Sequence, residues 1–183
     1  MEAMADLVEA GKIRSVGISN FCPEQMRRAH RTLQKRGLPL AVNQVRYSLL
    51  DRSIETNGIL DTAKELGVTI IAYTPLGSGL LSGKYHKNSE LLQRKPFFWR
   101  ARLQRGVEKS RKLVGALEEL GAKYNVTAAQ VALNWVIHFH GDIIVTIPGA
   151  TKVSQAQESA GAMTFKLNDE ELARLHELSR DYR

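Results

Sequence analysis

Four short polar clusters hold the residues best suited to chemistry: Ser19-Asn20, Asn43-Gln44 with Tyr47, Tyr73 to Gly79 (YTPLGSG), and Pro148 to Lys152 (PGATK). Each ends an apolar run. Their side chains offer amide and hydroxyl donors and acceptors, the groups that recognise a polar ligand. Glycines at 77, 79 and 83 let a backbone approach a ligand closely, as phosphate-binding loops do. Two nucleotide fingerprints nevertheless fail. A dinucleotide turn needs G-x-G-x-x-G after the first strand, where this chain has SNFCPE. A P-loop needs G-x-x-x-x-G-K-[ST]; Gly79 to Lys84 reads GLLSGK, but Tyr85 replaces the Ser or Thr that would touch magnesium. The histidines (30, 86, 138, 140, 176) show no metal or triad spacing, and His138 and His140 are expected at the negative end of a helix dipole. Cys22, the single cysteine, has no base nearby and is expected to be buried packing.

The elements that must position these clusters alternate. The pattern gives a helix ending near Gly11, a strand at 13–18, a helix from Pro23 to about Lys35, and a strand at 41–45. SLLDRSIETNG reads as a polar, disordered-looking turn before a helix from about Ile54 to Leu66 capped by Gly67. VTIIAY at 68–73 is nearly all apolar, as suits a parallel strand covered on both faces. Helices follow at about 106–124 and from Thr127, then a strand at 142–147, a helix at about 153–162, and a last helix after Asn168 and Glu171, which resemble a capping box. Strands alternating with helices imply an α/β fold with a parallel sheet, either open and doubly wound or part of a (β/α)8 barrel. The barrel accounts better for the ligand-like loops, because barrels often hold phosphate after their last two strands. Here those strands end in PLGSG and IPGATK.

Bulk properties narrow the class. The chain has 183 residues, 43% apolar and 25% charged, enough for one core. No stretch approaches the roughly 18 apolar residues of a membrane span. The start, MEAMADLVEAGKIR, carries acids where a secretory leader is basic, so a cytoplasmic setting is the expectation. Net charge is +7, concentrated in ten Lys or Arg between Lys84 and Lys112 (84, 87, 94, 95, 100, 102, 105, 109, 111, 112) against Glu90 and Glu108. That stretch lacks regular aromatic interleaving, since Phe97, Phe98 and Trp99 form one clump. No nucleic-acid partner is expected.

Together, GKIRSVGISNF, VNQVRYSLLDR, IIAYTPLGSGLLSGKY and IPGATKVSQAQESAGA resemble the aldo-keto reductase family, in its order and at its spacing, from near Met1 to about Arg180. The resemblance implies a (β/α)8 barrel, NADPH bound across its C-terminal face with NAD as the alternative, and reduction of a small carbonyl substrate. By resemblance, Ser19, Asn20 and Gln44 would hold the nicotinamide carboxamide, and Tyr73 would stack on its ring. Thr74, Pro75, Leu76, Gly77, Ser78 and Gly79 would form the pyrophosphate segment. Gly149, Ala150, Thr151, Lys152 and Gln155 would surround the 2′-phosphate, and Glu158 and Ser159 the adenine. Many members carry a cation where this chain has Gly149, Thr151 or Gln155, so Lys152 is the nearby positive group.

The family's Asp, Tyr, Lys and His tetrad belongs to the first four strands of its barrel, and no segment here matches those motifs. Residues 1–183 therefore read as one partial domain: the C-terminal half of the barrel, about four parallel strands plus a terminal helix, with no catalytic residue of its own. Alone it is expected to bind NADPH weakly or not at all, to reduce nothing, and to leave open sheet edges that invite self-association or pairing with a separate N-terminal half.

Overall fold

Apolar runs punctuated by Gly and Pro condense into a four-stranded sheet. The computed structural model describes residues 1–94 and 96–182. Strands β1 (Val16–Ser19), β2 (Leu40–Arg46), β3 (Thr69–Tyr73) and β4 (Ile144–Thr146) lie side by side in chain order. All three pairings are parallel. Register aligns their C-terminal ends: Ser19 faces Gln44, Arg46 faces Tyr73, and Ala72 faces Thr146. The polar clusters thus share one rim.

The helices are α1 (Glu2–Glu9), α2 (Pro23–Gln34), α3 (Ile59–Leu66), α4 (Lys84–Lys87), α5 (Glu90–Gln93), α6 (Phe97–Tyr124), α7 (Ala128–His138), α8 (Val153–Gly161) and α9 (Asp169–Leu178). Their starts are set by local chemistry. Pro23 opens α2, and the Gln25 side chain accepts from the Cys22 N–H at 3.0 Å. At α7 the Thr127 hydroxyl accepts from the Gln130 N–H, whose side chain accepts in return. Asn168 and Glu171 make the same reciprocal pair at 2.9 Å each way, so the capping reading of the sequence holds at α9.

One sheet face is buried beneath helices: Val16, Ile18, Val45, Ile70, Ala72 and Ile144. Trp135 of α7 anchors this core, stacked on Phe139 with centroids 4.4 Å apart. The opposite face is not enclosed. Gly17 and Ser19 are exposed, Gln44, Ile71 and Tyr73 are half-buried, and Val145 and Ile147 are each 46% exposed. The apolar run of β3 suggested cover on both faces, but Thr69, Ile71 and Tyr73 are only half-buried. Among the described residues no helix is long and apolar enough to cross a membrane.

Three local readings are corrected. The segment 48–58 is ordered: Ser48 bridges Asp51, a 3-10 turn spans Ser53–Glu55, and Leu49, Arg52 and Ile54 are buried. Helix α6 begins at Phe97 rather than near Gly106, preceded by the short α4 and α5. Cys22 is exposed rather than packed inside, because it sits at the solvent side of the α2 start. Lys95 of the basic stretch lies outside the described residues.

Candidate functional site

The rim is built from backbone forced into an uncommon conformation. Asn20, Thr74 and Ser78 have φ of 58°, 55° and 57°, so three of the four non-glycine residues with positive φ among the described residues sit here. Each costs about 1–2 kcal/mol, and for the β-branched Thr74 the strain is greater. Such strain persists where surrounding contacts over-determine it, and it concentrates at ligand sites. Gly77 (φ 56°) shows why glycine is needed: a methyl there would lie 2.7 Å from Leu50 Cδ1.

At the centre of the rim, β1, β2 and β3 bring Ser19, Asn20, Gln44 and Tyr73 into one hydrogen-bonded group. Ser19 Oγ donates to the Gln44 carbonyl at 3.0 Å, and the Asn20 N–H donates to the same oxygen at 2.9 Å. Asn20 Nδ2 donates to Ser19 Oγ at 3.3 Å, and the Tyr73 hydroxyl donates to Asn20 Oδ1 at 3.3 Å. Behind them the buried Asn43 is tied at both ends of its amide to the Phe21 backbone, which fixes the turn after β1. The Gln44 amide itself enters none of these bonds; only its backbone carbonyl does.

Beside this group runs a cleft of about 580 Å³ between the loop after β3 and the loop after β4. Thr74, Pro75, Leu76, Ser78 and Gly79 form one wall; Gly149, Gln155, Glu158 and Ser159 form the other. Gly77 is buried and lies on the other side of this loop, outside the cleft. Ala150, Thr151 and Lys152 are exposed on the turn entering α8 and do not line the cleft. The Gln155 side chain folds back to accept from the Thr151 N–H at 2.8 Å and from its hydroxyl at 3.2 Å. Glu158 accepts from the Thr127 hydroxyl at 2.6 Å, which ties that wall to α7.

Sequence reasoning missed Lys84 and Ser82, which also line this cleft. Lys84 was visible only as part of a failed P-loop and as one cation of the basic stretch; its ammonium lies over the Tyr85 ring, 5.0 Å from the centroid, with a notional Gly79 methyl 2.8 Å away. His138 lies in the last turn of α7, where the sequence reading put it, and His140 follows that helix; its Nε2 also lies 3.2 Å from Glu55 Oε1, a partner the sequence did not indicate. Among the described residues no group of three or more His, Cys, Asp or Glu is arranged to hold a metal ion.

The profile of the Aldo/keto reductase family matches residues 1–180. An aldo-keto reductase of Strobilurus tenacellus is 36% identical, aligned over 98% of this chain and 52% of its own. The chloroplastic pyridoxal reductase of Arabidopsis thaliana is 38% identical over 93% of this chain and 45% of its own. A crystal structure of a thermostable aldo-keto reductase with the inhibitor epalrestat superposes with a TM-score of 0.71 at 30% identity, covering 97% of this chain and 53% of that one. A putative 2,5-diketo-D-gluconic acid reductase B superposes with a TM-score of 0.70 at 28% identity, covering 97% and 50%. The chain spans about half the length of the curated relatives it matches. With a profile match running through all four strands and into the last turn, this chain belongs to the Aldo/keto reductase family.

Proposed function

We propose that this chain is the cofactor-binding half of an NAD(P)H-dependent reductase of aldehydes and ketones, the C-terminal four strands of a (β/α)8 barrel. The observation that carries the reading is the junction of a strained, hydrogen-bonded rim with a cleft of about 580 Å³ formed by the last two strand-end loops. The half-exposed second sheet face supports the barrel, since parallel sheets are ordinarily covered on both sides.

The residues present fit a phosphorylated dinucleotide. NADPH, when bound, supplies a hydride to a carbonyl carbon. Ser19, Asn20 and Gln44 offer donors and acceptors to its carboxamide, and Tyr73 offers a flat ring held by its bond to Asn20. Ser78, Ser82 and the Lys84 ammonium face the cleft where phosphates would lie, and Gln155, Glu158 and Ser159 form the wall for the adenosine. NADPH is the proposed cofactor and NADH the alternative. Because Lys84 is the cation in the cleft, Lys84→Ala is expected to weaken NADPH binding about tenfold, as loss of one charge-assisted contact does. Fluorescence titration of NADPH measures this, and an unchanged affinity would remove Lys84 from the site.

No segment of residues 1–183 matches the Asp, Tyr, Lys and His tetrad, so in this reading the residues act as part of a full-length reductase that supplies it; the alternative is a half-barrel that pairs with a separate N-terminal half or with another copy. The unpaired edges at β1 and β4 and the apolar Val145 and Ile147 support such pairing. Sedimentation velocity of residues 1–183 should show mass rising with concentration; a monomer at every concentration would count against pairing with itself.

A further inference from the structure

A second cleft, of about 330 Å³, lies across the Thr74–Ser78 loop from the first. Three cations line it: Arg46 at the end of β2, and Arg102 and Lys109 two turns apart on one side of α6. Two carboxylates stand near them: Asp51, whose Oδ2 lies 3.1 Å from Arg46 Nε, and Asp181, which acts electrostatically on Tyr182. Arg102 and Lys109 make no ion pair among the described residues. The Lys109 ammonium rests over the Tyr182 ring, 4.3 Å from its centroid, and the buried Tyr182 hydroxyl has no hydrogen-bond partner among the described residues. Leu50, Leu80, Leu103 and Trp99 supply an apolar and aromatic part of the lining, and Thr74 and Ser78 a polar one.

None of the three cations lines the dinucleotide cleft. Yet the two clefts meet, because Thr74 and Ser78 line both. Arg46 is also the register partner of Tyr73, the proposed nicotinamide platform. A ligand here would have an apolar body against Trp99 and the leucines, and a negative group among Arg46, Arg102 and Lys109. Cations without an ion-pair partner, as Arg102 and Lys109 are among the described residues, concentrate anions in a concave, partly apolar site.

We infer that this cleft selects carbonyl substrates that carry an anionic group, a carboxylate or a phosphate ester, on an aromatic or apolar body. The carbonyl half of that statement rests on the reductase reading; the anion half does not, and it is tested without cofactor. The chain has two tryptophans, Trp99 in the cleft and Trp135 in the core, so their indole N–H resonances give a site probe and a fold control in one spectrum.

Residues 1–183 are titrated with 4-carboxybenzaldehyde, benzaldehyde and inorganic phosphate. The acid should shift the Trp99 resonance saturably and leave Trp135 in place. Benzaldehyde and phosphate should each bind at least tenfold more weakly, one lacking the charge and the other the apolar body. The double variant R102Q/K109Q, both sites being exposed on α6, should keep the Trp135 resonance and lose at least tenfold in affinity for the acid. Equal binding of benzaldehyde, equal binding of phosphate, or an unaffected double variant would each overturn the inference. Absence of saturable shifts at the first cleft with millimolar adenosine 2′,5′-bisphosphate would instead overturn the reductase reading and leave the anion result standing.

Discussion

Arg52→Ala is expected to lose about 3–5 kcal/mol of folding stability, because it leaves a carboxylate buried without its cation. Arg52 is fully buried, yet all three guanidinium nitrogens are used. Nε and Nη2 fork onto Glu55 at 2.9 and 2.6 Å. Nη1 donates to the His176 carbonyl at 2.7 Å and to Ser179 Oγ at 2.9 Å, and Nη2 also donates to His176 Nδ1. The guanidinium lies 5.0 Å from the Trp135 ring centroid. Glu55 further accepts from the Tyr47 hydroxyl at 2.6 Å and from His140. One arginine thus clamps α9, the end of α7 and the segment after β2 together. Arg52→Lys should recover only part of the loss, since an ammonium cannot fork. Urea unfolding measures both, and a loss below about 1 kcal/mol for the alanine variant would contradict the clamp.

The same cluster sets an acid limit on stability. Burial pushes the Glu55 carboxyl up, but hydrogen bonds from His140, Arg52 and Tyr47 outweigh it and hold the pKa down at about 2, from an ordinary 4.5. A carboxyl lowered in the folded state stabilises it above the unfolded value and loses that contribution as pH falls towards 2. The contribution is on the order of 3 kcal/mol, lost between about pH 4.5 and 2.

The second large effect is an absence. Residues 1–183 with NADPH and benzaldehyde are expected to show no reduction above the uncatalysed background. A positioned proton donor is worth about 10²–10⁴-fold, and the expectation rests on none of the five tyrosines serving as one. The Tyr73 hydroxyl donates to Asn20, Tyr47 to Glu55, and Tyr124 to Glu171. Tyr85 is buried beneath α6, and burial raises the Tyr182 pKa. Continuous assay of NADPH absorbance decides this; robust turnover would show that the chain carries its own acid.

How much of this was legible from sequence follows from the range of the forces involved. Strands and caps were readable because apolar runs, Pro23, Gly67 and the Asn168–Glu171 pair act within a few residues. The polar strand ends were readable for the same reason, and parallel pairing in chain order then placed them on one rim. The segment from Ser48 to Gly58 was misread because its order comes from distant partners: Arg52 and Glu55 meet His176 and His140, 124 and 85 residues away. The start of α6 was missed because Phe97 and Phe98 are 76% and 88% exposed and give no periodic apolar face. Arg46, Arg102 and Lys109 share a cleft only through the fold, so no local spacing announces them.

The central claim is that the loops after β3 and β4 form the dinucleotide cleft. The most direct measurement is the change in backbone amide resonances of residues 1–183 on titration with adenosine 2′,5′-bisphosphate to millimolar concentration, which reports even weak binding. The account predicts saturable shifts at Ser78, Gly79, Lys84, Gly149, Gln155, Glu158 and Ser159, with α1 and α2 unmoved. Saturable shifts centred elsewhere, or none at all, would contradict it.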